Sequence, residues 1–219
     1  MQSAPHRTPA TCCEATGSLQ TAALSHIFLD AEHAVSKAGS AGVPHFFSDV
    51  RVVRPDMTPA ALGETGEVVV RGPHVMPGYW GLPEETAAAF TDGWFRSGDA
   101  ARTDEDGYVH IVDRIKDMII SGGENIYPAE IEDRILAHPD VAECAVIGVP
   151  DERWGEVPRA VVVPREGATV DPDDVLASLA GRLAPYKIPK SVVLAEALPR
   201  TASGKLLKAR VRQRYGTDS

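Results

Sequence analysis

The sequence predicts an α+β fold, and three observations carry that prediction. Short Val-rich runs bounded by turn residues fill residues 50–112, strand-like and helical patterns alternate over residues 117–215, and the longest apolar run, around 141–149, has the length of a buried strand.

The strand candidates of the first part are 50–53, 67–71 and 108–112, separated by turn pairs such as Asp92-Gly93 and Asp106-Gly107. This part reads as all-β. After Asp113-Arg114 the pattern changes. Residues 118–121 are strand-like, and Pro128 opens a helix in which Ile131 and Ile135 share one face. Two β-rich runs follow at 141–149 and 159–163. A helix is predicted over 171–183, where Pro172 suits the first turn and the acidic residues suit the positive end of the helix dipole. Residues 190–195 read as a strand, and a last helix is expected from near Gly204 through Leu206, Leu207 and Val211. Residues 1–45 are rich in Ala, Ser, Thr and Gly without sustained periodicity and read as a poorly anchored leader.

The chain's 219 residues allow one large or two small domains. With 22 Lys and Arg against 31 Asp and Glu the net charge is −9, which argues against a nucleic acid or an anionic membrane as main partner. No run approaches the roughly 20 apolar residues of a membrane span. The start lacks a secretory signal pattern, so a cytoplasmic location is expected. Cys12, Cys13 and Cys144 form neither a disulfide framework nor a metal-ligand spacing and read as free thiols; the scattered histidines add no ligand set, and no metal site is expected.

Three stretches could carry chemistry. Asp113-Arg114-Ile115-Lys116-Asp117 is a charged junction suited to a hinge, followed by a strand, the pair Gly122-Gly123, Glu124 and a helix start; a surface hairpin with ordinary turn glycines is an equally good reading of the spacing. Pro199-Arg200-Thr201-Ala202-Ser203-Gly204-Lys205 could set an ammonium group and backbone N–H groups beside an anion. It is not a Walker A loop, because the earlier glycine is missing and Leu206 follows the lysine; a loop with a solvated Lys is the simpler reading. The basic run Arg200, Lys205, Lys208, Arg210, Arg212 and Arg214 reads as a solvated helix face. In Trp94-Phe95-Arg96-Ser97-Gly98-Asp99 the carboxylate could accept two hydroxyl hydrogen bonds from a ribose diol, although Ser-Gly-Asp is also an ordinary turn. Ala38-Gly39-Ser40-Ala41-Gly42 lacks the first glycine of a nucleophile elbow.

In this order, and together with Gly63-Glu64-Thr65-Gly66-Glu67-Val68-Val69-Val70-Arg71-Gly72 and Gly78-Tyr79-Trp80, these stretches resemble the C-terminal part of the adenylate-forming (AMP-binding) enzyme superfamily over about residues 27–215. Ser121-Gly122-Gly123-Glu124-Asn125-Ile126-Tyr127-Pro128 is similar to the acyl-CoA synthetase branch rather than to peptide-synthetase domains. The resemblance implies a β-rich end of a large N-terminal domain over 46–115, a hinge, and a small C-terminal α+β domain over 116–215 built on a three-stranded sheet with helices.

It also implies an acid–CoA ligase that joins a fatty or aryl carboxylic acid to ATP, with Mg, and passes the acyl group to coenzyme A. Position by position, Asp99 resembles the carboxylate that holds the ribose, Arg114 the cation near ribose and phosphate, Lys116 the hinge, and Lys205 the catalytic lysine between the substrate carboxylate and the α-phosphate. Gly122 and Gly123 fall where the pantetheine arm passes, with Glu124 as the neighbouring polar residue of the thioester step. The family's Ser/Thr/Gly-rich phosphate loop and its Tyr-Gly-x-Thr-Glu segment have no counterpart here, so the chain alone is expected to be impaired. The alternative is a non-catalytic folded module that docks on a separate large N-terminal domain.

Overall fold

The structure, a computed structural model, describes residues 27–202 and 204–217 together with the backbone of the two-residue strand β1 (Ala15–Thr16). It divides into two compact units between Ile111 and Val112. Cys12 and Cys13 lie outside the described residues.

The first unit holds two sheets. One is a small antiparallel set in which β2 (Ile27–Phe28) pairs with β1 on one side and β3 (Val43–Pro44) on the other. The other runs in the order β4 (Asp49–Val53), β5 (Gly66–Arg71), β7 (Trp94–Thr103), β6 (Phe90–Thr91), with β8 (Val109–Arg114) also paired to β7. Strand β5 is central, and Val68, Val69 and Val70 are all fully buried. Val68 and Val70 pack with Ile27, Ala41, Ala101 and Val109 on one face, and Val69 with Val53 and Trp94 on the other.

Ile27 and Ala41 belong to this core and Leu29 is buried as well, so this part of the expected leader is anchored rather than trailing. Their apolar contacts are long-range, which local periodicity does not register. The loop after β2 is pinned as well: Lys37 Nζ lies 3.0 Å from an Asp104 carboxylate oxygen. One helix, α1 (Pro83–Ala89), interrupts the stretch expected to be all-β; it buries no residue and is set by local signals, Pro at its start and Glu84 and Glu85 in its first turn.

The second unit is a five-stranded sheet rather than the three-stranded one expected. Strands β9 (Ile119–Ser121) and β10 (Glu124–Ile126) form a hairpin, β9 joins β12 (Gly155–Pro164), and β12 pairs antiparallel with β11 (Val141–Asp151) and parallel with β13 (Ser191–Leu194). Helices cover both faces. Ile131 and Ile135 of α2 (Pro128–Leu136) and Val175 and Leu179 of α3 (Pro172–Leu179) pack on Cys144, Val146, Ala160 and Val162. Val211 of α4 (Lys208–Tyr215) packs on Ala145, Ile147, Val149 and Val161. Alternate residues of β11 and β12 therefore feed opposite cores, which is why 141–149 reads as an unbroken apolar run.

Asp171 caps α3 by accepting the Asp173 N–H at 2.9 Å. The predicted helix over 171–183 stops at Leu179, since Ala180 is already extended. Among the described residues no helix is long and apolar enough to cross a membrane.

Candidate functional site

The charged junction is built first. Asp113, near the end of β8, reaches across to α2: its Oδ2 accepts the N–H of Ala129 at 2.8 Å and its Oδ1 accepts the N–H of Arg114 at 2.7 Å. Helix α2 has no side-chain cap of its own at Tyr127, so Asp113 supplies the missing acceptor at the positive helix end. Burial, helped by the Asp113 charge, pushes the phenol of Tyr127 upward.

A single 3₁₀ turn, Ile115–Asp117, follows and contains Lys116. Arg114 and Lys116 are exposed, whereas Asp117 is buried and bonded to Arg212 of α4, Nη2 to Oδ1 at 3.0 Å.

Lys205 sits in a tight loop before α4. The Thr201 N–H donates to the Lys205 carbonyl at 2.8 Å, the Gly204 N–H to the Thr201 carbonyl at 2.9 Å, and the Lys205 N–H to Thr201 Oγ1 at 3.0 Å. Arg200 closes the loop with a bond from Nη1 to the Gly204 carbonyl at 2.8 Å and pairs with Glu143 through Nη2. This geometry corrects the expected helix start: Gly204 has φ of +85°, outside helical space, and the Leu207 N–H bonds back to Pro199, so α4 begins at Lys208.

Asp113, Arg114, Lys116, Asp117, Lys205, Lys208 and Arg212 all line one open cavity of about 760 Å³ within the second unit. Five cations and two carboxylates face it, in a chain whose overall charge is −9. The expected hinge, phosphate and catalytic residues thus share one wall system.

The expected solvated basic face is different in fact. Lys208 pairs with Glu132 at 2.9 Å, with both side chains 15% exposed, and Arg212 with Asp117. Sequence reading missed both pairs, because their acids lie on distant segments. Lys205 and Lys116 make no ion pair among the described residues.

Gly122, Gly123 and Glu124 do not line this cavity. The two glycines form the two-residue turn of the β9–β10 hairpin with φ of +59° and +88°, so the turn itself demands glycine, as the plain hairpin reading held. Gly122 also lies against an aromatic wall: its N–H bonds to the Trp154 carbonyl at 2.8 Å, and an added Cβ would sit 2.6 Å from Trp154 Cε3, whereas nothing lies within 4 Å of one at Gly123.

Asp99 belongs to the first unit, on a bulge of β7. Pairing with β5 runs from Glu67–Ala100 to Val69–Arg96, so Ser97, Gly98 and Asp99 face Val68 alone. Ser97 Oγ donates to the Val68 carbonyl at 2.7 Å and accepts the Asp99 N–H at 3.0 Å, and the buried Glu67 accepts from Gly98 N–H at 3.2 Å and from Arg96 Nε at 2.9 Å. Asp99 is half-buried on a rigidly bonded projection.

Two other groups drop out. Ser40 is buried, donates to the Val109 carbonyl and accepts the Gly42 N–H, so its hydroxyl is spent on structure. Cys144 is buried, and burial, reinforced by Glu132, pushes its thiol well above the ordinary range, which makes it a packing residue. Among the described residues no group of three or more His, Cys, Asp or Glu could hold a metal ion.

The model of the AMP-binding enzyme family matches residues 12–80, and that of the AMP-binding enzyme C-terminal domain matches residues 130–205. The chain belongs to the adenylate-forming, AMP-binding enzyme superfamily. Among curated relatives, it is 60% identical over 190 residues to a feruloyl-CoA synthase of Amycolatopsis sp, covering 87% of this chain and 39% of that protein. It is 50% identical over 210 residues to an indoleacetate–CoA ligase of Aromatoleum aromaticum, covering 95% and 41%.

Among solved structures, ATP-bound MatB from Rhodopseudomonas palustris superposes with a TM-score of 0.83 at 40% identity, over 91% of this chain and 40% of that one. The o-succinylbenzoate CoA synthetase MenE from Bacillus subtilis, in complex with its acyl-adenylate intermediate, also gives 0.83, at 37% identity over 94% and 42%. The chain spans about two-fifths of the length of the relatives it matches.

Proposed function

We propose that this chain supplies the C-terminal portion of an ATP-dependent acid–CoA ligase acting on an aryl or fatty carboxylic acid. The observation that carries the reading is the cationic cavity, in which Arg114, Lys116 and Lys205 face one space together with Lys208 and Arg212.

In the first step a substrate carboxylate oxygen attacks the α-phosphorus of ATP, supplied with Mg, and pyrophosphate departs. Negative charge gathers on the α-phosphoryl oxygens, and a fixed ammonium at Lys205 lowers its energy without the reorganisation that water would need. Arg114 adds positive charge near ribose and phosphate, and Asp99 accepts hydrogen bonds from the ribose hydroxyls. In the second step the sulfur of coenzyme A attacks the acyl carbon, AMP leaves and the thiol proton passes to solvent. Gly123, with nothing within 4 Å of where a Cβ would stand, gives the pantetheine arm room, with Gly122 and the Trp154 indole on one side of it and Glu124 on the other. Lys116 serves as the hinge used between the two half-reactions. The two named relatives that act on aromatic acids favour an aryl acid as substrate.

The test supplies the chain with the N-terminal part of the Amycolatopsis feruloyl-CoA synthase and measures the half-reactions separately. Lys205→Ala lowers acid-dependent pyrophosphate release about a hundredfold or more while sparing thioester formation from preformed acyl-adenylate, and Gly123→Val does the reverse. Equal loss in both half-reactions for both variants contradicts the proposal. Normal pyrophosphate release by Lys205→Ala contradicts it too.

A further inference from the structure

Within the loop that carries Lys205 the bonds are local, between residues 199 and 207, and Arg200 adds one tie outward, from Nη2 to Glu143 of β11 at 2.7 Å. The local bonds fix its shape. The direction of the loop is shared between the exposed Arg200–Glu143 pair at one end and, at the other, Leu206 against the sheet and α4, into which the loop runs. By itself α4 is a poor anchor: eight residues, no side-chain cap, and Val211 as its one fully buried residue.

Two charged pairs supply what the helix lacks, beside a bond from Arg159 Nη1 of β12 to the Tyr215 carbonyl at its far end, at 2.9 Å. Lys208 and Arg212 stand one turn apart on α4. Lys208 Nζ meets Glu132 Oε1 of α2 at 2.9 Å, and the same oxygen accepts the Val146 N–H of β11 at 2.7 Å, so the carboxylate is held by the sheet before it holds the lysine. Arg212 meets the buried Asp117, in the turn that contains Lys116, at 3.0 Å. Helix α4 is thereby tied at two successive turns, once to α2 and the sheet and once to the junction turn.

We propose that Glu132 and Asp117 are positioning residues for Lys205: by gripping Lys208 and Arg212 they fix the direction of α4 and hence of the loop that presents the Lys205 ammonium. This deepens the proposed function and rests on the reading of Lys205 as the catalytic lysine. Neither acid touches the reacting atoms; both act through α4.

Amide hydrogen exchange on the full chain tests it without any substrate. Glu132→Gln and Asp117→Asn each speed exchange at Lys205 and Leu207 by about tenfold or more, while the ladder amides of Ile147, Val149, Val161 and Val162 keep their protection. Lys208→Arg keeps the loop protected. In the reconstituted enzyme the two neutral variants lower kcat for pyrophosphate release and leave KM for ATP nearly unchanged. Unchanged loop exchange in both variants overturns the proposal, and so does a loss spread equally over loop and sheet. Full turnover by Lys205→Ala overturns the functional reading instead, and the exchange pattern still decides whether the two acids orient the loop.

Discussion

The Gly122-Gly123 turn gives a sharp comparison, because the two glycines share a backbone requirement and differ in what surrounds them. Both have positive φ, so alanine at either position carries the left-handed penalty of about 1 kcal/mol. At Gly123 the added methyl meets nothing within 4 Å, and that penalty is the whole effect. At Gly122 the methyl would stand 2.6 Å from Trp154 Cε3 and 3.0 Å from Cζ3. The indole is 41% exposed and can swing aside, but doing so disturbs its stack with Arg153, 4.7 Å from the ring centre. Overpacking of this kind adds about 1–2 kcal/mol. Gly122→Ala is therefore expected to cost about 2–3 kcal/mol and Gly123→Ala about 1 kcal/mol. Urea denaturation measures both, and Trp fluorescence reports indole displacement only in Gly122→Ala. Equal costs, or an unchanged Trp154 environment in Gly122→Ala, refute the reasoning.

Other outcomes follow from the same structure. Ile131→Ala, at a fully buried site between α2 and the sheet, should destabilise by about 2–5 kcal/mol in denaturant titrations, more than Leu136→Ala at the exposed end of the same helix. Asp104 is partly buried, which opposes its ionisation, but hydrogen bonds from His110, the Tyr108 N–H and Lys37 win and hold its carboxyl well below the usual carboxylate range. A depressed folded value means stability that is fully present above the ordinary carboxylate pKa of about 4 and is lost as pH falls toward the depressed value. The stability gap between the native chain and Asp104→Asn should accordingly be flat from pH 5 to 7 and shrink below pH 4, as urea midpoints at each pH will read.

What the sequence made legible was what local chemistry decides. Pro128 with Ile131 and Ile135 marked α2, and the Val-rich runs marked β5, β11 and β12, because buried faces impose period and branching on the residues themselves. Strand β10 escaped because Glu124-Asn125-Ile126 exposes its first two residues, so local pattern marked four of the five strands, and the expectation of three came from the family resemblance. The start of α4 was misplaced because Leu206 and Leu207 look helical, whereas a turn closed by Thr201 and Gly204 takes precedence.

The cationic cavity was legible residue by residue, through Arg114, Lys116 and Lys205. Its wiring was not: the partner of Arg212 lies 95 residues upstream, and a basic helix whose acids are elsewhere in the chain looks solvated until the fold brings them together. Glu67 behind Asp99 escaped for the same reason, since its role arises from a bulge in a neighbouring strand.

The most direct test of the account is acid-dependent ATP–pyrophosphate exchange by the chain supplied with a relative's N-terminal part, run with aryl and fatty acids and with Lys205→Ala beside it. The account predicts exchange that requires an acid, favours aryl acids, and disappears in Lys205→Ala. Exchange that persists in that variant, or that ignores the acid, would contradict the assignment of adenylation chemistry to this cavity.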